Sequence, residues 1–193
     1  MRAFFDIDVQ IDFVFPAGAL YAPGAERVIP PVAALNAFAA THGIPLVSTM
    51  CAHPENGDEF RAWPPHCVVG TVGQLKPAAT LLPKLAVVPN ALATVDIAGA
   101  QQILLEKNDL DLFTNPNLPG LLDRIGADEY YVYGVLTEYC VKCAVMGLLK
   151  TGSKVHLVTD AIAHLSAPAA EKVVADFTAA GGKCITIADI LTR

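Results

Sequence analysis

Six short runs of β-branched, aromatic and aliphatic residues constrain the fold of this chain more than any other feature of its sequence. Most are apolar at nearly every position, which is typical of strands buried on both faces of a sheet. They are residues 3–9, 45–51, 102–107, 129–135, 154–159 and 183–188. Helical periodicity predicts helices at residues 28–39, 140–150 and 167–179. This alternation predicts an α/β fold with a mainly parallel sheet, covered by helices on both faces.

Composition and charge exclude several classes of protein. The 193 residues are 53% apolar, too apolar for an intrinsically disordered chain, and we expect one domain over residues 1–193. The longest stretch without a charged side chain, residues 28–54, is broken by Pro30, Pro31 and Pro45, so it cannot be one membrane-spanning helix. No secretory signal pattern is present, which predicts a cytoplasmic protein. The net charge of −6, without a basic run, argues against nucleic acid as a partner.

Side chains that can act as acids, bases or nucleophiles lie where the predicted strands end. Asp8, Cys51 and Lys107 occupy three such ends, and Cys140 follows a fourth. Because the carboxyl ends of parallel strands meet at one edge of the sheet, where open α/β sheets bind ligands, we expect these side chains to form one site. Residues 54–100 are rich in proline and glycine and long for a connection, which predicts a functional loop region.

Cys140 is the candidate nucleophile. It opens the predicted helix, whose free N–H groups, together with the positive charge of Lys107, are expected to lower the pKa of its thiol. Position alone leaves two alternatives open: a buried structural cysteine, or a redox pair with Cys143 in a C-x-x-C motif. The five cysteines are odd in number, so free thiols or metal ligands are expected rather than a disulfide framework.

Asp8 and Lys107 each interrupt an apolar run, but neither is specific on its own. Asp8 lies in the sequence FFDIDVQ, where Asp6 points to the same face of the strand. Asp12 is also near, so spacing does not choose among the three carboxylates. Lys107 ends the run QILLEK and is equally well explained as a solvated strand end.

Three segments together are far more specific than these single residues. They are DVQIDF at residues 8–13, WPPHCVVGT at residues 63–71 and GVLTEYCV at residues 134–141. In this order and spacing the chain resembles, over essentially its whole length, the nicotinamidase/isochorismatase-like cysteine hydrolase superfamily. That superfamily has D-x-Q-x-D-F after an apolar strand, then W-P-x-H-C followed by G-T, then G-x-x-T-[DE]-x-C-V. The resemblance implies a three-layer α/β/α sandwich with Rossmann-like topology.

The resemblance also assigns roles to individual residues. Asp8, Lys107 and Cys140 correspond to the family's catalytic Asp-Lys-Cys triad. Cys140 would attack an amide carbonyl and form a thioester, while Asp8 would transfer the protons and Lys107 would supply positive charge. The oxyanion hole would consist of the backbone N–H groups of Leu136 and Cys140, with a cis peptide bond between Val135 and Leu136.

A divalent metal site is implied as well, with one departure from the family. Nicotinamidases hold the metal with an Asp-x-His pair and the His of W-P-x-H-C, positions that correspond here to Cys51, His53 and His66. Cysteine in place of aspartate favours Zn²⁺ over harder ions. Asp58 or Glu59, in the same loop, is an alternative oxygen ligand. The remaining alternative is that Cys51 abolishes metal binding.

Hydrolysis of nicotinamide to nicotinate and ammonia is the leading function that the resemblance implies. Phe13 and Trp63 correspond to positions that flank the substrate's aromatic ring, and ordinary core packing is the alternative explanation for both. The stretch after Lys107 departs from nicotinamidases, so a carbamoyl, ureido or maleamate-type substrate stays open, as does a non-catalytic metal-binding protein. A small amide is the expected partner, and the family resemblance implies a homo-oligomer.

Overall fold

A seven-stranded sheet forms the centre of the protein in a computed structural model, which describes residues 1–192. The strands are β1 (Arg2–Ile7), β2 (Leu46–Cys51), β3 (Leu85–Val88), β4 (Gln102–Lys107), β5 (Glu129–Val135), β6 (Lys154–Ala163) and β7 (Lys183–Ile185). Their order is β3-β4-β2-β1-β5-β6-β7, and each pair of neighbours is parallel. The predicted parallel α/β fold is confirmed.

Helices cover both faces of this sheet. They are α1 (Ile11–Val14), α2 (Ile29–Thr41), α3 (Leu118–Ile125), α4 (Lys142–Lys150), α5 (Ala167–Ala179) and α6 (Ala188–Leu191). Leu35 of α2 belongs to the same hydrophobic core as Phe4, whereas Val145 of α4 belongs to the same core as Phe5. Because Phe4 and Phe5 are consecutive in β1, their side chains point to opposite faces. The sheet therefore lies between two helical layers, as the three-layer sandwich requires.

The sequence patterns miss β3, α3 and the four-residue helices α1 and α6, and the first two have local reasons. Strand β3 lies at the edge of the sheet and exposes Leu85 and Val87, so it lacks the continuous burial that marks the other strands. Helix α3 has Pro119 in its first turn and Gly120 immediately after it. Proline is tolerated there because the first N–H groups of a helix have no partner within it, but both residues weaken the sequence signal for a helix.

Several boundaries differ from the predicted ones: β1 ends at Ile7 instead of Val9, and β6 continues to Ala163. The helix predicted at residues 140–150 becomes a regular α-helix only at Lys142, because residues Thr137–Val141 form a π-helical turn that carries Cys140. The strand predicted at residues 183–188 ends at Ile185, since α6 begins at Ala188. The nucleophile candidate thus lies in an irregular turn rather than in the first turn of a regular helix.

The central strand β1 marks the point where the direction of strand addition reverses. The chain first builds β2, β3 and β4 on one side of β1, and then places β5, β6 and β7 on the other side. In open α/β sheets, ligands bind at such a reversal, beyond the carboxyl ends of the strands. The topology therefore places the expected site at the ends of β1 and β5.

Two further predictions concern membrane-spanning helices and the number of domains. No helix within residues 1–192 combines the length and apolar character needed to cross a membrane. The single domain over residues 1–193 stays a prediction, and Arg193 lies outside the described residues.

We predict that Gly134→Ala destabilises the protein by at least about 2 kcal/mol. Gly134 has a φ of +117°, and a Cβ atom there would lie 2.2 Å from the carbonyl oxygen of Ile7 in the paired strand β1. Gly120→Ala is the matched control, because a Cβ atom at Gly120 meets nothing within 4 Å. That change is expected to stabilise the helix by about 0.5–1 kcal/mol. Urea unfolding measures both, and equal stabilities of the two variants would contradict the prediction.

Candidate active site

The predicted triad residues meet at the carboxyl edge of the sheet. Asp8 follows β1, Lys107 is the last residue of β4, and Cys140 lies in the turn after β5. Lys107 Nζ is 2.8 Å from Asp8 Oδ2 and 3.5 Å from Cys140 Sγ. Asp8 and Lys107 are fully buried, and Cys140 is 5% exposed. Residues distant in sequence thus form one buried cluster.

Asp8 has an unusual backbone conformation that is held by Thr49 of β2. Its φ is +48°, in the left-handed region that a non-glycine residue rarely adopts. The Asp8 backbone N–H donates to the Thr49 hydroxyl at 3.1 Å and to the Thr49 carbonyl at 3.2 Å. The Thr49 hydroxyl in turn donates to Asp8 Oδ1 at 2.6 Å. These bonds leave Asp8 Oδ2 facing Lys107.

The neighbouring carboxylates have other partners, which resolves the ambiguity among the three aspartates. Asp6 Oδ2 lies 3.2 Å from Lys76 Nζ, and burial raises the pKa of Asp6 even though the charge of Lys76 opposes that rise. Asp12 accepts hydrogen bonds from the backbone N–H groups of Ala19 and Cys67 and so holds two loops. Of the three aspartates, only Asp8 contacts Lys107 and Cys140.

The cluster of Asp8, Lys107 and Cys140 contains one ion pair and one neutral thiol, so its net charge is zero. Burial alone would raise the pKa of Asp8, but Lys107 and the hydrogen bonds from Lys107, Thr49 and Cys140 hold it below its usual value. Burial alone would lower the pKa of Lys107, but the negative charge of Asp8 holds it well above its usual value. Asp8 and Lys107 are therefore both ionised at neutral pH.

The expectation that the pKa of Cys140 is lowered is wrong. A hydrogen bond with the Cys51 thiol and then burial raise the pKa of Cys140 well above its usual value, although Lys107 opposes that rise. The negative charge of Asp8 adds to this rise, because a second anion in the cluster would be stabilised by only one buried cation. In the resting protein Cys140 is therefore a neutral thiol.

The turn that carries Cys140 is tied to the sheet by its backbone. The peptide bond between Val135 and Leu136 is cis, as expected. The Leu136 carbonyl accepts from the N–H groups of Tyr139 and Val141 at 3.1 Å each. Leu136 and Cys140 both line the cavity described below. The oxyanion-hole role of their N–H groups stays a prediction.

A second cluster, made of His53, Glu59 and His66, has the character of a metal site. One candidate ligand atom from each residue lies within 4.8 Å of the other two. Both ring nitrogens of His53 are buried without a hydrogen-bond partner, although Nε2 is 2.9 Å from Glu59 Oε2. His66 Nδ1 donates to the Pro64 carbonyl at 2.8 Å, which leaves Nε2 unprotonated and 3.7 Å from the same Glu59 oxygen. Unpaired imidazole nitrogens beside a carboxylate fit a divalent metal ion.

Cys51 does not lie in this cluster, which corrects the expected set of Cys51, His53 and His66. Its Sγ is 3.2 Å from Lys107 Nζ and 3.9 Å from Asp8 Oδ2. The reason is its position: Cys51 ends β2 in register with Lys107 and directs its side chain into the triad. Glu59, which the sequence offers only as an alternative, takes the third place.

The other carboxylate alternative is not near the histidines. Asp58 pairs with Arg61 at 3.0 Å, and its side chain is 92% exposed, against 15% for Glu59. Both residues lie in the short 3₁₀ turn Asp58–Arg61, so only the direction of the side chain separates them. A sequence pattern alone contains no signal for that direction.

One cavity connects the two clusters. It encloses about 370 Å³ of empty space, part of it open to solvent. Its lining includes Cys140 and the metal-site residues Glu59 and His66. Its apolar wall consists of Phe13, Leu20, Trp63, Leu110, Val135, Leu136 and Tyr139. Phe13 and Trp63 are thus at the cavity as expected, whereas Leu20, Leu110 and Tyr139 were not singled out.

The C-x-x-C motif does not form a bonded pair. All five cysteines are free, and the thiol hydrogen-bonded to Cys140 belongs to Cys51 rather than Cys143. Burial raises the pKa of Cys143 to about 11. The cysteine that contacts Cys140 is therefore Cys51, which is distant in sequence, rather than Cys143.

Several known proteins are similar to this chain in fold and in sequence. The isochorismatase domain family model matches residues 2–189. Nicotinamidase/pyrazinamidase of Mycobacterium tuberculosis is 31% identical over 175 residues, which cover 86% of this chain and 89% of the relative. Maleamate amidohydrolase of Pseudomonas putida is 26% identical over 190 residues, covering 97% and 84%. The crystal structure of pyrazinamidase of Pyrococcus horikoshii in complex with zinc matches with a TM-score of 0.80 and 28% identity, covering 96% of this chain and 98% of that one.

The fold and the buried Asp-Lys-Cys cluster, considered with these relatives, define the class of the protein. It is an amidohydrolase that acts on C–N bonds other than peptide bonds. Since the family model spans nearly the whole chain, the protein belongs to the isochorismatase family. The resemblance inferred from its three motifs is confirmed.

We predict that Cys51→Ala increases the rate at which iodoacetamide labels Cys140 at neutral pH. Removal of the Cys51 thiol removes the largest cause of the raised pKa of Cys140, so a larger fraction of Cys140 is thiolate. In the unmodified protein the labelling rate should rise with pH throughout the neutral range. Mass spectrometry of labelled peptides measures both rates, with Cys143→Ala as the control. A slower rate in Cys51→Ala than in the unmodified protein would contradict the assignment.

Proposed function

We propose that the protein hydrolyses a small, neutral carboxamide through a thioester on Cys140, and that nicotinamide is the leading candidate substrate. The observation that carries this proposal is that one cavity is lined by the nucleophile candidate, by aromatic side chains and by two of the metal-site residues. The substrate's amide would lie at Cys140 and its ring between Phe13 and Trp63.

The first half of the reaction forms the thioester. Asp8 takes the thiol proton of Cys140, so the negative charge moves from the carboxylate to the sulfur while Lys107 stays 2.8 Å from Asp8 and 3.5 Å from Cys140. The net charge of the buried cluster does not change, which avoids burying an additional ion. The thiolate attacks the amide carbonyl, and Asp8 returns its proton to the nitrogen that leaves as ammonia.

The second half of the reaction regenerates the enzyme. Asp8, again a carboxylate, takes a proton from a water molecule that attacks the thioester carbonyl. The carboxylic acid leaves, and Asp8 gives the proton it took from water to the sulfur of Cys140, which restores the starting state. In both halves the backbone N–H groups of Leu136 and Cys140 would stabilise the oxyanion, and one such donor is worth about 10²–10³ in rate in other acyl-transfer enzymes.

His53, Glu59 and His66 would hold a zinc ion in this site. Three protein ligands of His and carboxylate type leave a coordination position open, as in catalytic rather than structural zinc sites. When bound, the ion would supply a positive charge that binds a ring nitrogen of the substrate and so orients the amide. The zinc in the Pyrococcus horikoshii pyrazinamidase structure supports this choice of metal.

The cavity favours a neutral aromatic amide over maleamate. Maleamate carries a carboxylate, and the cavity lining found within residues 1–192 contains neither lysine nor arginine, so no cationic side chain of the lining would pair with it. Phe13 and Trp63 instead suit a flat, uncharged ring. The Mycobacterium tuberculosis relative is named for two such amides, nicotinamide and pyrazinamide, which supports the same choice.

We predict that nicotinamide and pyrazinamide release ammonia in the presence of the zinc-loaded protein, and that Cys140→Ala lowers the rate at least about 10³-fold. The reason is that Cys140 is the residue proposed to form the covalent intermediate, and alanine has no nucleophile. Ammonia release is measured over a panel that also contains maleamate and an aliphatic amide. Cys143→Ala is the matched control and should keep activity. Turnover of maleamate alone would contradict nicotinamide as the substrate. Full activity of Cys140→Ala would contradict a thioester on Cys140.

We also predict that the protein binds close to one zinc ion per chain, more weakly in Glu59→Gln. Glutamine keeps the size of the side chain but removes the negative charge that the ion requires. Asp58→Asn is the matched control, because the exposed neighbour Asp58 faces solvent. Elemental analysis after dialysis against zinc gives the ratio. Equal zinc in Glu59→Gln and the unmodified protein, or loss in Cys51→Ala as large as in Glu59→Gln, would contradict the ligand set.

A further inference from the structure

We propose that Thr49 is a positioning residue for this hydrolysis and that the buried ion pair of Lys76 and Asp6 holds it in place. The proposal rests on the proposed function, in which Asp8 is the base. None of these three residues lines the substrate cavity. Their effect on the reaction would therefore pass entirely through Asp8.

Thr49 determines which oxygen of Asp8 faces the nucleophile. A carboxylate has two equivalent oxygens and rotates freely unless both are bound. The Thr49 hydroxyl donates to Oδ1 at 2.6 Å, and Lys107 Nζ binds Oδ2 at 2.8 Å. With both oxygens bound, the carboxylate plane is fixed and Oδ2 is kept beside Lys107 Nζ, which is also 3.5 Å from Cys140 Sγ. A base that is held in place transfers a proton more efficiently than one that must first rotate.

Thr49 also supports the backbone of Asp8 in its left-handed conformation. The Asp8 N–H donates both to the hydroxyl and to the carbonyl oxygen of Thr49. That same carbonyl oxygen accepts from Lys76 Nζ at 3.2 Å. Lys76 thus contacts the residue that orients the base and does not itself line the cavity.

The charge of Lys76 is balanced by Asp6, two residues before Asp8. Lys76 Nζ is 3.2 Å from Asp6 Oδ2, and both side chains are completely buried. Ser48 and Asn36 donate to the same oxygen at 2.9 Å and 3.4 Å. A buried ion pair contributes little stability beyond what apolar side chains of equal volume would give. The geometry points instead to placement: a fixed cation beneath β1 and β2 holds Thr49 against Asp8.

Kinetics of Thr49→Val, Thr49→Ser and Thr80→Val test the proposal. Valine keeps the shape of threonine but lacks the hydroxyl, whereas serine keeps the hydroxyl and lacks the methyl group. Thr80→Val is the matched control, because Thr80 is also fully buried and its hydroxyl donates to the Pro77 carbonyl at 2.9 Å, away from Asp8. Thermal unfolding of each variant separates stability from function.

Thr49→Val is expected to lower kcat about tenfold or more with KM changed less than about twofold, since substrate binding does not involve Asp8 orientation. Thr49→Ser should restore kcat to within about threefold of the unmodified protein, and Thr80→Val should keep it. An unchanged kcat in Thr49→Val, or an equal loss in Thr49→Ser or Thr80→Val, would overturn the proposal.

The rate of Cys140 alkylation by iodoacetamide supplies a second measurement that needs no substrate. Thr49→Val should change this rate, because both the orientation and the pKa of Asp8 depend on the Thr49 hydroxyl, while Thr49→Ser and Thr80→Val should leave it unchanged. If the unmodified protein hydrolyses no amide of the panel, the proposed function fails, and the alkylation rates alone then decide the role of Thr49. Equal alkylation rates in all variants would overturn it.

Discussion

The ion pair between Asp8 and Lys107 is the interaction on which the rest of the site depends. Burial of either charge alone would cost several kcal/mol, so each residue can be ionised inside the protein only because the other is 2.8 Å away. Together they form a neutral unit within reach of Cys140. The thiol can then ionise by passing its proton to Asp8, a step that redistributes charge around Lys107 without adding any. A triad that is neutral overall explains how a buried cysteine with a raised pKa can still act as a nucleophile.

The parallel sheet supplies the distances that this ion pair requires. Lys107 stands beside Cys51 in the register of β4 on β2, and Ile7 stands beside Gly134 in the register of β1 on β5. Gly134 has no side chain, which lets β5 approach β1 so closely that a Cβ atom would overlap the Ile7 carbonyl. The strand ends therefore converge before any loop is considered. Loops and turns add the remaining groups to an edge whose geometry is already determined by backbone pairing.

Sequence patterns predicted the parts that depend on this backbone pairing and missed those that depend on side-chain direction. Strand ends and motif order were enough to bring Asp8, Lys107 and Cys140 together. Strand ends also grouped Cys51 with these residues, whereas the family resemblance placed it with the histidines as a metal ligand. Glu59 and Asp58 are neighbours in one short turn, and only three-dimensional placement separates a buried ligand candidate from an exposed one. Lys76 lies in a loop region and gave no signal of burial, because its partner Asp6 is 70 positions away.

The exchange at position 51 alters the relation between the two halves of the site. A carboxylate there, as the family resemblance implies, would serve the metal; a thiol instead turns to Lys107 and to Cys140. The metal cluster is thereby left with Glu59 as its acidic ligand, from a loop rather than from a strand of the sheet. Loops vary in position more readily than paired strands, because fewer buried contacts hold them. In the proposed mechanism, C–N cleavage is therefore built on the sheet edge, whereas the metal ligands and Trp63, which would orient the substrate, come from the segment between β2 and β3.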